Sequence, residues 1–240
     1  MKNYYITAVI PARSGSKGIK NKNIKNYNGR PLISYSIEQG VKSKYIDKVI
    51  VSTDSELYAQ LSRDNGAEVP FIRPKEISTD LSTDYEFFSH YINWLGQWGE
   101  KIPDFMVLLR PTYPSRKVAD IDKAIETFVA SYDLVDSLKS VVLTDKTPYK
   151  MWSLKNGCIE PLLEINNKKE AFNLPRQLLP SVYWQNACID IVKTSTINNF
   201  SSISGKNILP YIMDDDEVYD IDTIEDFNNS RINQEKSNED

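Results

Sequence analysis

Residues 5–18 read Tyr-Ile-Thr-Ala-Val-Ile-Pro-Ala-Arg-Ser-Gly-Ser-Lys-Gly. Residues 5–11 are nearly continuous apolar and β-prone, as expected of a strand covered on both faces in a parallel sheet. Residues 13–23 then carry two glycines and four basic side chains. In an open α/β sheet, ligands bind beyond the carboxyl ends of the strands. The loop from Ala12 to Gly18 belongs at that end. Glycine lets backbone N–H groups approach an anion closely, and Arg13, Lys17 and Lys22 add positive charge. The spacing matches neither G-x-x-x-x-G-K-[ST] nor G-x-G-x-x-G. The loop is therefore either a phosphate cradle of another kind or a basic surface loop.

The same order repeats outward. Pro31 opens a segment in which Leu32, Tyr35, Ser36 and Gln39 keep helical spacing. Residues 48–52 read as a strand. Thr53-Asp54-Ser55 offers N-cap chemistry for a helix that Gly66 stops. Residues 105–109 are a third buried strand, 118–130 a helix with a 3.6-period apolar stripe, and 137–143 a fourth strand. Strand and helix alternate, so the class is α/β with a mostly parallel sheet. Residues 144–180 break the rhythm and read as an inserted arm. Residues 188–192 return as a strand, 223–232 as a closing helix, and 233–240 as a solvated tail on a single domain spanning 1–232.

The 240 residues carry 29 basic and 33 acidic side chains, a formal charge of −4. With no long basic run, a nucleic-acid surface is not expected. No apolar run approaches the ~20 residues of a membrane helix. The start of the chain lacks the pattern of a signal peptide, so a cytoplasmic location is expected. Cys158 and Cys188 are too few for a disulfide framework and suit a reducing compartment. One histidine, His90, argues against a His-rich zinc site or a Ser-His-Asp triad and reads as structural. Carboxylates, lysine, arginine and a hard metal are left to carry any chemistry.

An acidic segment provides the second candidate feature. If residues 219–222 are extended, Asp220 and Asp222 share a face while Ile221 points away. Two such carboxylates can hold Mg²⁺; alternatively Asp222 or Thr223 simply caps the last helix. The run Asp214–Glu217 reads as a solvated loop. Arg110-Pro-Thr-Tyr-Pro-Ser-Arg116 follows a buried strand, so it falls on the same rim as the glycine loop. Its arginines could grip carboxylate or phosphate in bidentate fashion, or serve as surface ion-pair partners. Arg176-Gln177 and Gln185-Asn186 could bond sugar hydroxyls or satisfy loop backbones. Ser52-Thr53-Asp54 reads mostly as a helix cap. Tyr183-Trp184 and Met151-Trp152 read as core or subunit contact.

Ile10-Pro-Ala-Arg-Ser-Gly-Ser-Lys-Gly-Ile19 with Lys22-Asn23 resembles the N-terminal signature of the acylneuraminate cytidylyltransferase family. The order continues through Val51-Ser-Thr-Asp54, Arg73-Pro74, Leu109-Arg-Pro-Thr-Tyr-Pro-Ser-Arg116, Pro175-Arg-Gln177 with Pro180, and Asp220-Ile-Asp-Thr223. The resemblance implies a Rossmann-like nucleotidyltransferase with a small dimerisation arm, matching residues 144–180. It implies transfer of CMP from CTP to a 2-keto sugar acid with release of pyrophosphate, in a homodimer using Mg²⁺. The alternative is another nucleoside triphosphate acting on a sugar 1-phosphate or other sugar acid. By position, Arg13, Lys22 and Asp222 would be catalytic. Ala12, Gly15, Ser16, Lys17, Asn23, Arg73 and Ser82 would join Arg13 and Lys22 on the nucleotide. Asp220 and Asp222 would hold the metal. Arg110, Thr112, Tyr113, Arg116, Arg176, Gln177, Gln185 and Asn186 would face the acceptor. Two departures fall at the sugar. Arg110 and Tyr113 stand where many relatives have Gln and Ser, and Ala187 and Asp190 stand where the family pattern places Gly and an aromatic residue.

Overall fold

The computed structural model describes residues 4–166, 168–214 and 220–237, with side chains through residue 230. The elements run β1 (Ile6–Pro11), β2 (Asn26–Tyr27), β3 (Arg30–Pro31), α1 (Leu32–Lys42), β4 (Lys48–Ser52), α2 (Glu56–Asp64), α3 (Asp84–Trp98) and β5 (Phe105–Leu108). They continue with α4 (Val118–Ala130), β6 (Ser137–Thr144), β7 (Trp152–Lys155), β8 (Cys158–Pro161), β9 (Val182–Lys193), α5 (Thr194–Phe200), β10 (Ile208–Met213) and α6 (Ile224–Ser237).

Six strands form the central sheet in the order β10-β6-β9-β5-β1-β4. The pairs β10/β6, β5/β1 and β1/β4 are parallel, and β9 runs antiparallel to both of its neighbours. The expected mostly parallel α/β sheet is therefore present. Both faces are buried, as the unbroken apolar strands required. Ala8 and Ile10 of β1, Val49 and Val51 of β4, and Phe105 and Val107 of β5 pack with α1, α2 and α4. Val9, Ile50, Met106 and Leu108 point the other way, onto Phe87, Phe88, Tyr91, Ile92 and Leu95 of α3 and Ile197 of α5. Strand period two thus feeds two apolar layers. β1 sits between β4 and β5, and the loops that follow these strands open onto one rim.

Several elements differ from the sequence reading. β9 begins at Val182, not near 188, because its first half pairs with β6 as far as Thr144↔Val182, beyond a register shift between Lys139 and Val141. The edge strand β10 and the short helix α5 carry too weak an apolar pattern to be anticipated. The closing helix runs on to Ser237, so only residues 238–240 of the expected tail lie outside the described residues. The arm holds the β7/β8 hairpin, turned at Asn156-Gly157 with both residues at positive φ, as an Asn-Gly hairpin turn demands. Met151, Trp152, Tyr183 and Trp184 are exposed rather than core. His90 is structural as read: it lies in α3, edge-on to Phe71 at 4.5 Å.

Phe105 anchors the lower core, with Phe128 at 5.1 Å and Tyr4 at 5.6 Å between ring centroids. Phe105→Ala is expected to cost about 3–5 kcal/mol of stability, measured as a lower urea midpoint with an unchanged m-value.

Candidate active site

The glycine loop is held from beneath. Just past β1, the Ala12 N–H donates to Ser52 O at 2.9 Å. The Ser14 N–H and hydroxyl both donate to the Asp54 carboxylate, at 2.7 and 2.8 Å. Asp54 is therefore a loop anchor, and the cap of α2 is its neighbour Ser55, which accepts from Tyr58 N. Asn23 is buried and donates to Arg13 O at 3.2 Å. Gly18 is where glycine is required: a Cβ there would stand 2.8 Å from the backbone oxygen of Asp222.

That close approach brings the two ends of the chain together. Ile221 is fully buried among Ile19, Tyr27, Leu32 and Phe227, and its N–H donates to Thr112 O at 3.0 Å. Asp220 and Asp222, on either side of it, both line the same cleft. The expected alternation holds, although these residues form no strand. Thr223, capped by Asp226, makes the turn into α6. Asp220 faces the cleft, yet its burial among protein atoms raises its carboxyl pKa; the Asp222 charge adds to this, and a Thr112 hydrogen bond opposes it. Of the acidic run, residues 215–217 lie outside the described residues.

The cations converge on this cleft. Lys22 Nζ bonds Asp222 Oδ1 at 2.9 Å and Ile221 O at 2.8 Å. Arg13 and Lys17 both pair with Asp80, at 2.7 and 2.5 Å. Arg73 is the exception. It is only 4% exposed, and its Nε and Nη2 have no hydrogen-bond partner. Burial lowers its pKa and nearby Arg13 adds to the effect, against the pull of Asp54, Asp84 and Glu86.

The rim after β5 is built differently. Arg110 is clamped by both oxygens of Asp84. Burial opposes its charge, but the Asp84 bond outweighs that and raises its pKa. Arg116 is buried behind the rim. It donates to Cys188 O, Gln39 Oε1 and Arg110 O, at 2.9, 2.9 and 2.8 Å, and so ties this loop to α1 and β9. Tyr113 is buried too and donates to Asn186 O. The Asn186 side chain accepts from Ser140 at 2.6 Å. Ala187, beside it, holds φ at +55°, a conformation that costs an L-residue roughly 1–2 kcal/mol and a glycine almost nothing. Burial and the Asp220 charge push the Tyr113 hydroxyl pKa far above its usual value.

Arg13, Ser16, Lys17, Lys22, Asn23, Arg73, Ser82, Arg110, Thr112, Asp220 and Asp222 thus share one open cleft of about 680 Å³. Ala12, Gly15, Tyr113, Arg116, Gln185 and Asn186 support or border it without lining it, and Arg176 and Gln177 lie on the arm beside Thr144 and Asp145. The sequence reading missed Asp80 and Asp84, which do line it. A signal for Asp84 was available: Thr83-x-x-Glu86 is a capping box, which starts α3 at that rim.

The profile of the cytidylyltransferase family matches residues 7–155. The chain belongs to that family. It is 33% identical to "Post-translational flagellin modification protein B" of Campylobacter coli over 223 residues, 92% of each chain. It is 30% identical to the N-acylneuraminate cytidylyltransferase of Escherichia coli O18:K1:H7 over 97% of this chain but 53% of that one. The chain thus spans about half the length of that relative. A CMP:2-keto-3-deoxy-manno-octonic acid synthetase complexed with CTP superposes with a TM-score of 0.70 at 14% identity, covering 97% of this chain and 99% of that one. That likeness shows the nucleotidyltransferase fold. No described helix is long and apolar enough to cross a membrane.

Two outcomes follow from this geometry. Gly18→Ala forces the loop away from Asp222, and a shift near 1 Å is expected to lower kcat by roughly 10²-fold with the circular dichroism spectrum unchanged. Asp220→Asn removes a carboxylate whose pKa is raised in the fold. Such a group binds its proton more tightly folded than unfolded, so its ionisation opposes folding above its raised pKa. The Asp220→Asn variant should therefore melt at a higher temperature than wild type at pH 7 without metal, and the gain should vanish below the ordinary carboxylate pKa of 3.8.

Proposed function

We propose that this cytidylyltransferase joins the CMP group of CTP to the anomeric hydroxyl of a sialic-acid-like 2-keto nonulosonic acid and releases pyrophosphate. The observation that carries this reading is Arg73, a buried guanidinium with two orphaned donor groups in the wall of a cleft that already holds Arg13, Lys17 and Lys22. A buried unpaired cation is costly, and a polyanionic nucleotide supplies the acceptors it lacks.

Attack of the sugar hydroxyl at the α-phosphorus forms one P–O bond and breaks the bond to the β-phosphate oxygen. Charge develops on the α-phosphoryl oxygens and on the departing pyrophosphate. Arg13, Lys17 and Lys22 lie where preorganised cations stabilise both. The Asp54 and Asn23 bonds hold the loop ready, so little reorganisation is left for the reacting state. The hydroxyl proton passes to a carboxylate of the cleft, where Asp220 and Asp222 face the basic loop.

The chemistry of the donor set also suits Mg²⁺. Asp220 and Asp222 are two hard oxygen donors on one cleft, the Asp222 charge disfavours that of Asp220, and a divalent ion relieves that repulsion. When bound, it would neutralise phosphate charge and hold the triphosphate in line.

The acceptor reading rests on charge as well. The Arg110 guanidinium is already neutralised by Asp84, so it makes no demand for a second phosphate on the sugar. A homodimer through the arm is part of the proposal. Met151, Trp152, Leu154, Ile159 and Leu162 are all exposed there, as is Trp184 at the start of β9, more apolar surface than a solitary arm would leave open. A reducing, cytoplasmic location is supported by two cysteines that are both free.

Pyrophosphate release is measured with CTP, GTP, UTP and ATP against N-acetylneuraminate, other nonulosonates and sugar 1-phosphates. Turnover is expected with CTP and a nonulosonate only; turnover confined to a phosphosugar overturns the acceptor reading. Asp222→Asn should lose at least about 10²-fold in kcat at saturating Mg²⁺. Arg73→Met, which removes a buried charge with two unsatisfied donors, should raise thermal stability while weakening CTP binding by about 10- to 100-fold, the worth of a charged hydrogen bond. Sedimentation should give a dimer of the 27.5 kDa chain.

A further inference from the structure

Asp80 lies in the cleft and holds two of its cations at once: Arg13 Nη1 at 2.7 Å and Lys17 Nζ at 2.5 Å. Its carboxylate makes, within the protein, the contacts that the proposed reading gives to phosphate oxygens. The segment that carries it is lightly held. Residues 79–82 form a turn closed on itself, with Thr79 N donating to Ser82 Oγ at 2.9 Å and Leu81 N to Thr79 Oγ1 at 3.3 Å. Leu81, at its tip, is 91% exposed, so no apolar packing anchors the turn. The firm structure resumes at the Thr83–Glu86 capping box that opens α3. Ser82, on the same turn, lines the same cleft.

We propose that Asp80 is a built-in competitor for the phosphates of the nucleotide. It occupies Arg13 and Lys17 until a polyphosphate displaces it, and it takes them back as pyrophosphate leaves. This inference rests on the nucleotide reading above. Both ion pairs are partly exposed, and Lys17 is largely so. Such pairs are individually weak and exchange easily, which suits a group that must yield to substrate and return after turnover. A deeply buried pair would block the site. The Asp80 turn also carries Ser82, so displacing the carboxylate shifts a second cleft residue in the same motion.

The test is calorimetric titration of pyrophosphate alone, and separately of CTP, into wild type, Asp80→Asn, Asp80→Glu and Glu76→Gln. Glu76 is an exposed acid on the same segment and has no ion pair to Arg13 or Lys17. Asp80→Asn is expected to bind pyrophosphate about 3- to 10-fold more tightly, the size two partly exposed ion pairs allow. Product inhibition by pyrophosphate should strengthen by the same factor. Asp80→Glu, which keeps the charge, should stay near wild type, and Glu76→Gln should change affinity less than twofold. If Asp80→Asn binds pyrophosphate no more tightly than wild type, or if Glu76→Gln gains as much, Asp80 is not a competitor, and CTP binding by wild type leaves the proposed function standing. If wild type binds neither ligand, both readings fall. Melting transitions of each variant confirm that a loss of binding is not a loss of fold.

Discussion

Lys22 and Asp222 stand 200 residues apart in sequence and 2.9 Å apart in space. The rest of the site depends on this contact. It holds only because Gly18 has no side chain where the Asp222 backbone passes and because Ile221 is driven into the apolar cluster beneath. The closure is therefore hydrophobic in origin and electrostatic in consequence. Burying one isoleucine side chain stabilises by roughly 1.5–3 kcal/mol, and that burial places two carboxylates opposite the basic loop. Without it the loop after β1 would face Asp80 alone across the cleft and would lack the carboxylate pair at Lys22. With it, one cleft holds the basic loop and two carboxylates, which the proposed function assigns to a triphosphate and a divalent ion.

The same cleft is where the molecule departs from its most stable arrangement. Arg73 is buried with donor groups unpaired, and Asp220 is held where its charge is disfavoured. Two buried charges outside it are paired: Lys139 with Asp190 at 3.1 Å, and Arg116 with four neighbours that take its donors. Charge held at such a disadvantage in a cleft is the pattern of a site shaped for a charged ligand rather than for stability.

Much of this was legible in the sequence, for identifiable reasons. The strands β1, β4 and β5 are apolar on both faces, and the helices α1 and α4 carry clear stripes, so local pattern and tertiary role agree. The Asp220-Ile221-Asp222 alternation was readable because burial of the central residue dictates where the other two point. What remained hidden depends on partners distant in sequence. β10 is an edge strand whose exposed positions dilute its pattern. Asp54 looks like a helix cap until the loop it anchors is brought back 40 residues. Arg116 resembles a ligand-gripping arginine, and only packing shows that its donors are already used. Asp80 sits among polar residues with no periodicity, and its importance comes from two cations more than 60 residues earlier.

On the proposed reading, the acceptor side follows a different electrostatic rule from the nucleotide side. Of the four positions that depart from the family pattern the sequence resembles, Arg110 and Asp190 put charged side chains where uncharged ones are expected. Read singly, an added guanidinium would call for an added anion on the sugar. Their partners change that conclusion. Arg110 is closed by Asp84, and Asp190 by Lys139 with Gln185 beside it at 3.4 Å. Each charge has a counter-charge beside it, so Arg110 with Asp84 gives the wall directional groups without net charge, and Asp190 with Lys139 lies buried outside the lining. A wall of that kind discriminates by hydrogen-bond geometry, because an acceptor that leaves a buried polar group unpaired is rejected strongly while extra bulk is rejected weakly. Differences among sugar acids of one charge, in the substituents along their backbone, are what such a surface can read.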